Sequence, residues 1–130
     1  MNLSPVYRFE LPLPPTANHR LIPAKVGNRI RLITGPKMRT WKAEAARALG
    51  TPETTFGVDY VRLDVALKWP DRRRRDLDGP VKPLLDCLTA AGVWDDDSQV
   101  RSMVVEALPV DYGLQVPGTM VGQVSAWVPF

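Results

Sequence analysis

The chain is expected to fold as one α+β domain over residues 1–130, a mixed β-sheet of about five strands carrying two helices. Three observations predict this. Several short segments alternate apolar and polar residues with the period of two that a half-buried strand needs. Two other segments space their apolar residues for one face of a helix. Finally, one of those helices lies between two strands around residues 60–108, an order that calls for at least one parallel or mixed pairing.

The first strand runs from Val6 to Leu11, where Tyr7, Phe9 and Leu11 alternate with Arg8 and Glu10. Leu-Pro-Leu-Pro-Pro then stops any ladder, because proline has no N–H to give. Thr16 to Arg20 is a loop. Ile22–Val26 and Arg29–Ile33 flank Gly27-Asn28, a two-residue turn of hairpin type. Pro36 opens a helix that ends near Leu49, with Met38, Trp41, Ala45, Ala48 and Leu49 at helical spacing and Gly50 as the stop. Thr51–Gly57 is linker-like. Val58 to Trp69 contains a strand in which Val61, Leu63, Val65 and Leu67 alternate with Arg62, Asp64 and Lys68, and Pro70-Asp71 ends it. A second helix spans about Gly79 to Ala91. Val81, Leu84, Leu85 and Leu88 form its buried stripe, Pro80 suits its first turn and Gly92 its cap. Val93 to Ser98 is an acidic loop. Val100–Leu108 and Met120–Val128 are two closing strands joined by a Gly/Pro-rich connection.

Composition narrows the function classes. With 45% hydrophobic and 24% charged residues the chain is an ordinary globular protein, not a disordered one. No apolar run approaches the roughly 18 residues of a membrane helix, so no membrane role is expected. Charge and proline break up the N-terminal MNLSPVYRFELPLPP, which has no signal-peptide core. Cys87 is the only cysteine. That excludes an internal disulfide and a cysteine-based zinc site, and suits a cytoplasmic location. Residues 1–50 carry a net +7 and residues 51–130 a net −4 within the overall +3. A basic half of this kind suits a polyanionic partner.

The chemistry concentrates between Arg72 and Asp97. Asp76 and Asp78 are two apart, a spacing that puts both carboxylates on one face of extended backbone. Asp95, Asp96 and Asp97 follow the second helix. Aspartates gathered without cysteine, with a single remote His19, suit a hard cation such as Mg²⁺. Such an ion can bridge to a phosphodiester and activate water. The plainer alternative is a solvated loop whose arginines and aspartates pair with one another. Lys82 lies one turn after Asp78. It serves either as an i, i+4 helix-surface partner or as an ammonium poised over a phosphate. Asp86 sits about 12 Å along the helix from Asp78, too far to share a metal, and is assigned as the partner of Lys82.

Pro70-Asp71-Arg72-Arg73-Arg74-Arg75-Asp76-Leu77-Asp78, then Lys82, then Asp86 through Val100 (DCLTAAGVWDDDSQV) closely resemble the RusA family of Holliday junction resolvases. Leu11 to Asn18 resembles the proline-rich N-terminal segment of that family. The resemblance implies a Mg²⁺-dependent endonuclease, of a kind often carried by prophages. It implies a catalytic pair in Asp76 and Asp78, an essential lysine in Lys82 and a third catalytic aspartate in Asp97. Asp96 is the neighbouring acid, a possible fourth metal ligand, and Mn²⁺ is an expected substitute for Mg²⁺. Arg72, Arg73, Arg74 and Arg75 match the basic run before the pair and are assigned to phosphate contact. Gly79-Pro80 stands where family members commonly have Asn followed by an apolar residue.

Helix and return loop make the distance from Asp97 to Asp78 nearly taut, about 20 Å out and at most about 17 Å back. Either the helix lies oblique to the site, or Asp97 reaches the pair from a second subunit. A homodimer is also expected from substrate shape, since a four-way junction has approximate two-fold symmetry and needs two opposed nicks. The basic half then supplies phosphate contacts from Arg20, Lys25, Arg29, Arg31, Lys37, Arg39 and Lys42. Trp94 is the best placed of four tryptophans for base stacking, although a core role is the commoner fate of each. Three rivals stand beside this reading. Asp76-Leu77-Asp78-Gly79 mimics the nucleophile motif of haloacid-dehalogenase-type phosphatases, but four arginines precede it where a buried strand is needed. The cluster also suits a non-catalytic nucleic-acid-binding module, or a nuclease of broader branched-DNA or flap specificity.

Overall fold

A computed structural model describes residues 5–16, 20–110 and 117–129. The expected positions Ala17, Asn18, His19 and residues 111–116 lie outside the described residues. Strands β1 (Val6–Pro12), β2 (Leu21–Val26) and β3 (Arg29–Thr34) precede helix α1 (Pro36–Leu49). Strand β4 (Val61–Lys68), helix α2 (Val81–Ala91), a 3₁₀ turn (Asp97–Gln99), β5 (Val100–Ala107) and β6 (Thr119–Ala126) follow. These elements agree with the expected ones to within a few residues. α1 keeps its expected bounds because Gly35 and Gly50 flank an uninterrupted helical stripe.

The expectation of one sheet of about five strands needs revising. Four strands form the main sheet in the order β1-β6-β4-β5, while β2 and β3 form a separate two-stranded ribbon. The physical reason lies in Pro12, Pro14 and Pro15. They end the β1 ladder, and the ribbon begins only at Leu21, after the chain has left the sheet edge. Within the main sheet β4 and β5 are parallel, as the β–α–β order requires. The C-terminal β6 inserts between β1 and β4, antiparallel to both.

Both helices join one core. Met38, Trp41, Ala45 and Leu49 of α1 and Leu84, Cys87 and Leu88 of α2 pack with Phe9, Leu11, Val61, Leu63, Val65, Leu67, Met120 and Val124 from the sheet. Gly122 permits close packing within the sheet. A Cβ there would lie 2.5 Å from the Asp64 carbonyl oxygen and 2.6 Å from the Phe9 ring. Trp94 is 1% exposed and donates its Nε1–H to Thr89 Oγ1 at 2.7 Å, so it is a core residue and offers no face to a base. Trp41 is likewise buried, donating to the Pro12 carbonyl at 2.8 Å. Cys87 is buried and its thiol is pushed up to about 12 by desolvation, which leaves it chemically quiet at neutral pH. No helix among the described residues is long and apolar enough to cross a membrane.

Candidate active site

The chain leaves β4 through a loop folded around Asp71. Its carboxylate accepts from the Arg73 backbone N–H at 3.0 Å and pairs with the Arg75 guanidinium at 2.7 Å. These bonds, the backbone one first, hold Asp71 below the usual carboxylate range. Arg75 also donates to the Asp71 carbonyl at 3.1 Å and lies over the Trp69 ring at 5.3 Å. The basic run is therefore divided. Arg75 braces the loop, whereas Arg72, Arg73 and Arg74 are exposed.

Asp76 and Asp78 come next, both exposed. The backbone here is not extended. Leu77–Pro80 form a turn in which the Gly79 N–H donates to the Asp76 carbonyl at 3.2 Å and the Val81 N–H to the Asp78 carbonyl at 3.0 Å. The strand alternation invoked for one shared face does not operate. Two residues of separation alone keep their α-carbons within about 7 Å. The turn runs directly into α2, with Pro80 at its N-cap and Pro83 in the first turn, where no intrahelical N–H bond is forfeited. No hydrogen bond or ion pair engages the Asp76 or Asp78 carboxylate among the described residues.

Arg20 is the main reassignment. It is half-buried, and its guanidinium donates from Nε to the Pro15 carbonyl at 3.0 Å and from Nη2 to the Gly79 carbonyl at 2.6 Å. Burial without a carboxylate partner lowers its pKa. The side chain expected to touch phosphate is instead a strut between the proline-rich segment and the aspartate turn. By contrast, Lys25, Arg29 and Arg31 on the ribbon, and Lys37, Arg39 and Lys42 on α1, are exposed.

Lys82 makes the expected i, i+4 pair with Asp86 and also reaches Asp97. Its Nζ sits 2.9 Å from Asp86 Oδ1, the i, i+4 pair, and 3.1 Å from Asp97 Oδ2. The two carboxylates, Asp86 first, raise its pKa. With the lysine side chain 70% exposed, solvent screens both pairs and they add little to stability. Their effect is to hold a cation between two carboxylates. The Gly92 cap, at φ 83°, turns the chain back so that Asp97 meets the first turn of α2 within one chain.

Asp96 serves a different purpose. Its carboxylate accepts from the Ser98 N–H at 3.1 Å and from the Ser98 hydroxyl, capping the 3₁₀ turn and lowering its own pKa. Gln99, which sequence reasoning missed, organises the loop. It is 7% exposed, accepts from the Asp95 and Asp96 N–H groups at 3.0 and 2.8 Å, and donates to the Gly57 and Asp59 carbonyls at 2.7 and 2.8 Å. The signal was available, because Asp96-x-x-Gln99 has capping-box spacing.

The donor set of Asp76, Asp78 and Asp97 offers only carboxylate oxygens, two of the three groups uncommitted, which fits a hard divalent ion in kind. Among the described residues no three acidic, His or Cys side chains are already drawn together as a metal-holding group.

Residues 12–122 match the family profile described as Endodeoxyribonuclease RusA. The chain is 34% identical over 108 residues to the crossover junction endodeoxyribonuclease RusA of Escherichia coli (strain K12), covering 82% of this chain and 87% of the relative. The protein of that name from Enterobacteria phage 82 is 34% identical over the same shares, and that of Shigella sonnei (strain Ss046) 33%.

Proposed function

The chain belongs to the RusA family of endodeoxyribonucleases, and on that premise we propose that it nicks phosphodiester bonds in branched DNA, above all four-way junctions, as a Mg²⁺-dependent homodimer serving recombination and repair. The relatives are named crossover junction endodeoxyribonucleases, which supports the substrate. The observation that carries the reading is the meeting of Lys82 and Asp97 at 3.1 Å beside the uncommitted Asp76–Asp78 turn. This site is equipped to hold positive charge against a phosphate.

Asp76, Asp78 and Asp97 would hold the ion. When bound, Mg²⁺ (or Mn²⁺) supplies Lewis acidity toward the phosphate and toward an attacking water. The chain's residues supply placement and charge. The Lys82 ammonium, kept protonated by Asp86 and Asp97, faces the phosphate and stabilises the negative charge that builds as water adds to phosphorus and the phosphorus–oxygen bond to one sugar breaks, that sugar oxygen leaving as a hydroxyl. Arg72, Arg73 and Arg74 hold flanking phosphates, and Asp96 acts on the metal site only by shaping the loop that carries Asp97. Two copies about a two-fold axis match the two opposed strands of a junction.

The test incubates the protein with a synthetic four-way junction, a flap and plain duplex, with Mg²⁺ and with EDTA. Paired nicks are expected in the junction with Mg²⁺ alone. Asp78→Asn is expected to lose at least a thousandfold in cleavage while binding the junction as before. Undiminished nicking in EDTA or by the variant would overturn the metal reading, and equal nicking of duplex would overturn the substrate.

A further inference from the structure

The β2–β3 ribbon packs substantially on no other strand or helix among the described residues. A lone two-stranded ribbon is marginal in water unless something covers it. Cross-strand partners share a face, so the register separates two surfaces. One face pairs Leu21 with Thr34, Pro23 with Leu32 and Lys25 with Ile30. Its apolar side chains are out in solvent: Ile30 is 79% exposed, Leu32 68% and Leu21 53%. At the tip of the opposite face Val26 pairs with Arg29 and Ala24 with Arg31. The ribbon springs from the rim of the active site. A cleft of about 190 Å³, whose walls include Leu21, Thr34, Lys42 and Lys82, joins the two.

What covers the apolar face follows from charge. From Arg20 to Ala43 the chain carries seven Lys/Arg and no Asp or Glu. Two such ribbons laid against each other would bring like charges together, whereas a polyanion is attracted along the whole segment. A two-stranded ribbon fits a DNA groove, and exposed Ile and Leu are the side chains that wedge between base steps. Ordinary duplex hides its bases, so an apolar wedge finds its surface where stacking is interrupted.

We infer that the ribbon is the branch-sensing arm of this nuclease: Ile30 and Leu32 dock on bases unstacked at the branch point, while Arg29 and Arg31 on the other face hold phosphates of the adjoining arm. The inference rests on the proposed activity but concerns recognition, so it is tested without cleavage. In EDTA, affinities are measured for a four-way junction and for a duplex of equal length, and 2-aminopurine placed at the branch reports unstacking. Wild type is expected to prefer the junction and to brighten the probe. Ile30→Ser/Leu32→Ser is expected to lose at least tenfold in junction affinity and the probe signal, with duplex affinity within twofold and melting temperature unchanged. Arg29→Gln/Arg31→Gln is expected to weaken both DNAs alike and to flatten the salt dependence.

An Ile30→Ser/Leu32→Ser variant with full junction preference overturns the arm. So does one that keeps the preference while a dimer falls to monomer in sedimentation, since the face would then seat a second copy. A wild type without junction preference overturns the proposed substrate itself, a separate outcome.

Discussion

Replacing Arg20 by alanine separates two roles that the sequence alone leaves confounded, phosphate contact and support of the aspartate turn. The substitution removes the 2.6 Å bond to the Gly79 carbonyl and the 3.0 Å bond to the Pro15 carbonyl. Hydrogen bonds from a charged donor contribute about 1.5–3 kcal/mol each, and half-burial with a desolvation cost puts this pair at the low end. Loss of about 1.5–2 kcal/mol from the restraint on Gly79 lowers the population of the competent turn about 10–30-fold. Single-turnover cleavage of a saturating four-way junction in Mg²⁺ should slow by that factor. Junction affinity in EDTA should change less than threefold, with its salt slope intact. Arg20→Lys, whose single ammonium cannot fork to both carbonyls, should recover only a small part. A variant that cleaves at the wild-type rate when saturated, yet binds weakly with a salt slope lower by about one, would refute the strut and restore Arg20 as a phosphate contact.

Gln99→Ala strands the Asp96 N–H and the Asp59 carbonyl at a 7% exposed position, while the Asp95 N–H keeps its 3.0 Å bond to the Gly57 carbonyl; a loss of about 1–3 kcal/mol is expected in urea unfolding, and an unchanged midpoint would contradict the role given to Gln99. Gly122→Ala should cost about 2–3 kcal/mol, because the new Cβ falls 2.5 Å from the Asp64 carbonyl and 2.6 Å from the Phe9 ring; calorimetry showing wild-type stability would mean that the sheet yields more easily than its packing implies. Asp71, held down chiefly by the Arg73 N–H, should titrate below its ordinary 3.8 when followed by carboxyl NMR. Its stabilising effect is then complete above the unfolded value and disappears as pH falls through the lower folded one. A midpoint at or above 3.8 would show that the Asp71 loop does not hold in solution.

Much of this protein is written in local order. The helical stripe of Met38, Trp41, Ala45 and Leu49 bounded by glycines, the strand alternation of Val61 to Leu67, and the turn at Gly27-Asn28 each depend on neighbours a few residues away, so periodicity reveals them. The same holds for the Lys82–Asp86 pair, one helical turn apart. The residue types gathered between Arg72 and Asp97 already narrow the chemistry to carboxylates, a lysine and phosphate.

Contacts between distant parts of the chain were not legible in this way. The insertion of β6 between β1 and β4, the detachment of the β2–β3 ribbon, and the 59-residue span from Arg20 to Gly79 depend on how the finished elements close over one core. The charge of Arg20 or Arg75 is visible in the letters, but whether it faces a phosphate or a carbonyl of its own chain is set by what the fold brings within 3 Å of it. Side-chain chemistry is a property of each residue, whereas its partner is a property of the closed chain.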